Sequence, residues 1–112
     1  MADIRQLTAG YMAAFDARDL DKLADYLADG FELTDPEVTA LTPKGDVLDY
    51  IRGLFNGHES LSFEAQSILV DGDASVIHFT LTLDAFVLDG VDVITWKSGK
   101  MTSLQAYLTP RR

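Results

Sequence analysis

Asp92 is the residue of this chain whose type and position most clearly suggest chemistry. Asp89-Gly90 is typical of a two-residue type I′ turn, which pairs Val87 with Asp92 across the hairpin. A lone carboxylate among apolar neighbours is destabilised as an anion, so its pKa should rise unless a donor or a cation contacts it. No Lys or Arg falls on this face of the predicted hairpin, which carries Leu81, Leu83, Ala85, Val87, Ile94 and Trp96. The pattern therefore predicts a raised pKa for the Asp92 carboxyl if no such group reaches it.

Two further side chains could take part in acid–base chemistry, and all three candidates also have structural interpretations. Tyr11 lies on an apolar helical stripe, where a tyrosine usually belongs to the core and has its hydroxyl hydrogen-bonded. Asp35 directly precedes Pro36, an arrangement that is common in simple turns. Asp92 lies close enough to the predicted turn to reach water or a backbone N–H. Residue type and spacing alone leave both interpretations open for each residue.

Helices are predicted in the first half of the chain. Apolar residues recur at helical spacing over residues 3–18 and again over residues 46–56, which predicts a helix in each segment. Between them, Asp19 is the predicted N-cap of a further helix that ends near Gly30. A short strand over residues 31–34 follows this helix, and Asp35-Pro36 ends it.

The second half is predicted to form an antiparallel meander, because the apolar period changes from 3.6 to 2 after Ser60. Three turn signals divide this part into four long strands: Asp71-Gly72-Asp73, Asp89-Gly90 and Lys97-Ser98-Gly99. Helices followed by such strands predict an α+β fold, with three N-terminal helices packed on one face of the sheet. A chain of 112 residues has the length of one domain, so we expect residues 1–112 to form a single domain.

Charge and composition exclude several classes of function. Nine Lys and Arg against eighteen Asp and Glu give a net charge of −9, which repels phosphate backbones and anionic lipids. We therefore expect no nucleic-acid partner and no membrane partner. The absence of Cys removes thiolate metal sites and a Cys nucleophile, and the chain has no glycine-rich phosphate loop. We expect a cytoplasmic protein that uses no metal and no cofactor, with His58 and His78 at the surface or an interface.

The segments YMAAFDARDLDKLADYLADGFELTDP and GVDVITWKSGKMTSLQAYL resemble the start and the final hairpin of NTF2-like, SnoaL-like domains. The resemblance extends from about Ile4 to Leu108. It implies a cone in which three helices and a curved antiparallel sheet enclose one deep apolar pocket, together with a homodimer formed through the outer sheet face. Within this superfamily, ketosteroid isomerase is the closest in motif.

The resemblance to ketosteroid isomerase implies a role for each acid–base candidate. That enzyme has a Tyr in its first helix, an Asp directly before Pro after the first strand, and an Asp early in its penultimate strand. Tyr11, Asp35 and Asp92 match these three positions. The resemblance implies that Asp35 is the general base and that Tyr11 and a protonated Asp92 donate hydrogen bonds to the substrate oxygen. It gives no position to Tyr50.

The function predicted by this resemblance is cofactor-free proton transfer on a small apolar carbonyl compound. A base and two neutral donors are sufficient for proton abstraction next to a carbonyl. Two alternatives remain open: a SnoaL-like cyclase or dehydratase, and a domain that binds a small apolar ligand without catalysis.

The pocket lining is predicted from the face that each residue occupies. Leu104 joins the apolar face only if Lys97-Ser98-Gly99 forms a three-residue loop with Gly99 in the left-handed region. A two-residue turn would instead send Met101, Ser103 and Gln105 to that face. The full predicted lining is Phe15, Phe31, Phe55, Leu83, Ile94, Trp96 and Leu104.

Overall fold

The computed structural model describes residues 3–110, in which three helices pack on one five-stranded sheet. The helices are α1 (Ile4–Asp16), α2 (Leu20–Tyr26) and α3 (Lys44–Asn56). The strands are β1 (Leu27–Thr34), β2 (Leu61–Asp71), β3 (Ala74–Leu83), β4 (Phe86–Lys97) and β5 (Lys100–Pro110). The predicted α+β class is confirmed. None of these helices has the length and apolarity needed to cross a membrane.

The sheet has the order β1-β5-β4-β3-β2, and β2 to β5 form the predicted antiparallel meander. β1 lies parallel to β5, so the sheet is mixed and not antiparallel throughout. Asp19 is the predicted N-cap of α2, and its carboxylate accepts from the Lys22 N–H at 3.0 Å. Gly30 does not end this helix as predicted, because the chain enters β1 directly after Tyr26.

The β3–β4 hairpin turns at Asp84-Ala85, so the prediction of a turn at Asp89-Gly90 is wrong. Asp84 adopts a φ of 54°, in the left-handed region that Asp tolerates better than most residues. Its carboxylate accepts from the Ser60 N–H at 3.0 Å and lies 2.9 Å from His58 Nδ1. Contacts from His58 and Ser60, just before β2, therefore stabilise the turn at this position.

Gly90 lies buried inside β4, where it permits close packing and not chain reversal. A Cβ at this position would lie 2.6 Å from the Phe79 ring and 2.6 Å from the Tyr107 carbonyl oxygen. A glycine within a strand commonly marks such a close approach. Gly90 thus has a packing role. The dipeptide Asp-Gly by itself does not distinguish such a glycine from one in a turn.

We expect Gly90→Ala to lower the free energy of unfolding by about 1–3 kcal/mol, because an added methyl would overlap a neighbouring backbone oxygen. Chemical denaturation measures this difference. Gly30→Ala is the matched control, since a Cβ there meets nothing within 4 Å. Equal stability of the two variants would contradict the packing role of Gly90.

The turn between β4 and β5 consists of Ser98-Gly99, with φ angles of 52° and 78°. With simple alternation, such a two-residue turn would remove Leu104 from the apolar face. However, a bulge at Thr102 changes the phase of β5. Met101 and Leu104 are therefore both buried. Each of the two predicted loop lengths placed only one of these residues on the apolar face.

Candidate functional site

Asp35 follows β1 directly, and the loop behind it holds its carboxylate. Oδ1 accepts hydrogen bonds from the Glu37 N–H at 2.7 Å and the Val38 N–H at 2.9 Å. The Asp35 N–H in turn donates to the Val38 carbonyl at 2.9 Å. This is the local geometry that the Asp-Pro sequence favours, with an aspartate bonded to the backbone two and three residues further on.

Tyr50 completes the surroundings of this carboxylate from α3. Its hydroxyl donates to Asp35 Oδ2 at 2.8 Å. A carboxylate has about four acceptor positions, and the three hydrogen bonds described leave room for one more contact. Asp35 is therefore fixed in orientation and keeps capacity to accept a proton.

Asp92 lies on the inner face of β4, opposite Ile77 on β3 and Ala106 on β5. Its side chain is almost completely buried, at 4% exposed. Burial raises the pKa of Asp92 to about 8, and the negative charge of Asp35 adds to the increase. Within residues 3–110, no hydrogen bond and no ion pair reaches its carboxyl. Asp92 is thus an uncharged donor at neutral pH.

Tyr11 faces the same interior from α1 and is also buried. Burial raises the pKa of Tyr11 well above its usual value, and the nearby Asp92 raises it further. Its hydroxyl therefore keeps its proton. The Tyr11 ring packs against Phe15, with the ring centroids 6.2 Å apart. Tyr11 and Asp92 are two neutral O–H groups that face the same cavity.

All three acid–base candidates border one cavity of about 90 Å³, which we call the inner compartment. This volume is smaller than the roughly 150 Å³ cavity that accommodates benzene in an engineered protein. It has room for only a few non-hydrogen atoms of a ligand. The inner compartment is lined by Tyr11, Phe15, Leu33, Asp35, Tyr50, Ile51, Leu54, Phe63, Phe79, Leu81, Asp92, Leu104, Ala106 and Leu108.

A second cavity of about 420 Å³, the outer compartment, adjoins the first. Its volume lies within the roughly 300–1,000 Å³ of typical small-molecule sites. The two compartments share Asp35, Tyr50, Leu54, Leu81 and Leu108, so Asp35 and Tyr50 lie at their boundary. The outer compartment is further lined by Pro36, Glu37, Leu83, Leu88 and Pro110.

The predicted lining residues are divided between cavity and core. Phe15 and Leu104 line the inner compartment, and Leu83 lines the outer one. Four others, Phe31, Phe55, Ile94 and Trp96, are buried but line neither compartment. Ile94 and Trp96 share the inner face with Asp92 but lie progressively further along β4, since a strand advances about 3.3 Å per residue. Alternation identifies the face of a residue but not its height along the strand.

Tyr50 is the site residue that sequence reasoning missed. It lies three residues after Val47 and four before Leu54, which is the spacing of one helical face. Val47 is buried and Leu54 lines both compartments. The apolar stripe of α3 is therefore a signal that Tyr50 faces the interior. It does not indicate that Asp35 is the hydrogen-bond partner of Tyr50.

The two histidines lie away from both compartments. His58 contacts the hairpin residue Asp84, and His78 is exposed on the opposite face of the sheet. In the part of the chain that the structure describes, no three His, Cys, Asp or Glu side chains form a cluster that could hold a metal ion.

The fold and the cavity define a class of small α+β proteins that enclose a pocket between helices and a sheet. The chain belongs to the SnoaL-like domain family, whose model matches residues 8–104. No curated protein sequence gives a significant match.

Solved structures share this fold over most of the chain. A Kribbella flavida protein described provisionally as a ketosteroid isomerase has a TM-score of 0.84 and 19% identity, covering 97% of this chain and 79% of its own. A SnoaL-like protein of unknown function from Burkholderia thailandensis has a TM-score of 0.84 and 23% identity, with coverages of 95% and 94%. An epoxide hydrolase from M. tuberculosis has a TM-score of 0.79 and 15% identity, with coverages of 95% and 82%. At these identities the likeness shows the fold alone, and a shared fold does not determine the reaction.

Proposed function

We propose that this protein isomerises a small apolar carbonyl compound by cofactor-free proton transfer, as the ketosteroid isomerase resemblance implies. One observation carries the proposal: a fixed carboxylate, Asp35, and two neutral donors, Tyr11 and Asp92, line the same cavity. A base and two donors are the groups that enolate formation requires.

The proposed reaction begins when Asp35 takes a proton from the carbon next to the carbonyl group. The electron pair of the broken C–H bond forms a C=C bond, and negative charge develops on the carbonyl oxygen. Tyr11 and the protonated Asp92 donate hydrogen bonds to that oxygen. Asp35 then returns the proton to a different carbon, so a β,γ-unsaturated ketone becomes its conjugated isomer with no change in composition.

Burial makes these donors effective, because few water dipoles compete with them inside an apolar cavity. The small inner compartment fits the carbonyl group, and the adjoining leucines and prolines of the outer compartment suit an apolar body. The acidic carbon would then lie near the boundary, where Asp35 is held.

The decisive assay follows the absorbance of the conjugated enone formed from a small β,γ-unsaturated ketone. We expect wild-type protein to accelerate this conversion and Tyr11→Phe to lower kcat by about 10²-fold, because one donor to the developing oxyanion is lost. Tyr26→Phe is the matched control, since the Tyr26 hydroxyl packs against Gly10 and lines neither compartment. No conversion above the buffer rate with a series of such ketones, or full activity of Tyr11→Phe, would contradict the proposal.

The second candidate function is that of a cyclase, and the volume of the outer compartment supports it. At about 420 Å³ this compartment exceeds what a minimal ketone needs. Aldol cyclisation shares the first step, removal of a proton next to a carbonyl, but the enolate carbon then forms a C–C bond. Product analysis separates the two reactions, because only cyclisation creates a new ring.

A further inference from the structure

We propose that Tyr50 is a positioning residue for the base, holding Asp35 Oδ2 at the boundary of the two compartments so that the carboxylate faces the acidic carbon of the substrate. This inference rests on the proposed function, in which Asp35 is the base. Tyr50 has no role in the ketosteroid isomerase match described above, so the assignment comes from its contacts in this chain.

The hydrogen bonds to Asp35 divide into two groups. Two backbone N–H groups, from Glu37 and Val38, hold Oδ1. Only the Tyr50 hydroxyl holds Oδ2 among the contacts described in residues 3–110. The terminal torsion of an aspartate is broad when nothing restrains it. Tyr50 therefore sets the plane of the carboxylate, which decides where its remaining acceptor position points.

The location of Tyr50 fits this role. Tyr50 is half-buried on α3 and borders both compartments, as Asp35 does. Burial, followed by the hydrogen bond to Asp35, raises the pKa of the Tyr50 hydroxyl well above its usual range. The hydroxyl thus remains a donor to the base throughout the working pH range.

The test compares Tyr50→Phe with wild type in the isomerisation assay, with Tyr26→Phe as the control for losing a tyrosine hydroxyl. We expect kcat to fall about 10- to 100-fold, as is typical when a catalytic group is slightly misaligned, and KM to change less than about twofold.

Two further measurements distinguish positioning from a structural role. Affinity for 4-nitrophenol, whose anion mimics the enolate, should be retained in Tyr50→Phe, because Tyr11 and Asp92 bind that oxygen. In a double-mutant cycle, Tyr50→Phe should cost nothing further once Asp35→Asn has removed the base. Additive losses, parallel loss of 4-nitrophenol affinity, or a kcat within twofold of wild type would overturn the inference while leaving the proposed function intact. An inactive wild type would overturn both.

Discussion

Asp35→Asn is expected to lower kcat for isomerisation of a β,γ-unsaturated ketone by about 10²- to 10⁴-fold, which is the usual contribution of a positioned general base. The amide has nearly the same shape as the carboxylate. Its carbonyl oxygen can still accept from the Glu37 and Val38 N–H groups, and its NH2 group, at the position of Oδ2, can donate to the Tyr50 hydroxyl oxygen. It cannot take up a proton from carbon. The substitution therefore removes the proposed chemistry and largely preserves the surrounding contacts.

Binding of an anionic mimic should change in the opposite direction. Burial raises the pKa of Asp92, and the negative charge of Asp35 adds to the increase, so the Asp35 charge disfavours a second negative charge in this cavity. The same repulsion acts on a bound phenolate, so Asp35→Asn should bind 4-nitrophenol several-fold more tightly while losing activity. Fluorescence or absorbance titration measures this affinity.

Asp49→Asn is the matched control for the Asp35 substitution, since it makes the same change of charge at an exposed position on α3. We expect its kcat and its 4-nitrophenol affinity to equal those of wild type within about twofold. If Asp35→Asn retained wild-type kcat, Asp35 would not be the base. If it lost activity and also lost affinity for the mimic, a collapsed cavity would explain both changes.

Asp92→Asn is expected to change the pH dependence of stability strongly. In the unfolded chain Asp92 titrates near the ordinary aspartate pKa of 3.8, and in the folded protein its pKa is about 8. Between these values the folded state binds one more proton than the unfolded state. The free energy of unfolding therefore decreases as the pH rises, by about 1.4 kcal/mol per pH unit from this group.

Asparagine carries no titratable proton, so Asp92→Asn should lose this decrease. The two proteins should have similar stability near pH 4, and the variant should become increasingly more stable toward pH 8. Urea denaturation at several pH values measures the difference. The exposed control Asp49→Asn should follow the wild-type slope. Parallel curves for wild type and Asp92→Asn would contradict the uncharged state of Asp92.

The activity of the wild type should decline above about pH 8 for the same reason. Above its folded-state pKa, Asp92 loses the proton that it donates in the proposed mechanism and places a second negative charge in the cavity. This alkaline limb should be absent in Asp92→Asn, whose amide remains a neutral donor at lower activity.

The helices followed from local signals. Side-chain period located α1 and α3, and Asp19 was correctly predicted to cap α2. These features depend on residues within a turn or two of each other, which is why a single sequence suffices. The parallel pairing of β1 with β5 joins segments about seventy residues apart, and nothing in the sequence of either strand specifies its partner.

The orientation of Asp92 was predicted correctly although the turn was not. The predicted hairpin put Leu88 opposite Val91, whereas the structure pairs Leu83 with Phe86. Both registers join odd-numbered residues of one strand to even-numbered residues of the other. Because side chains alternate, the change of register altered the neighbour of Asp92 but not its face.

The sequence by itself determined the positions of the three helices, the four-stranded meander and the inward face of Asp92, because these features follow from local period and capping. The end of α2 and the turn between β3 and β4 lie elsewhere than predicted. The tertiary structure alone decided which buried residues reach the cavity, since Trp96 and Leu104 are both buried but only Leu104 lines the inner compartment. It also decided that Tyr50 meets Asp35, a contact between α3 and the loop after β1. Such contacts depend on where the turns fall, and here distant residues such as Ser60 stabilise the turn at Asp84.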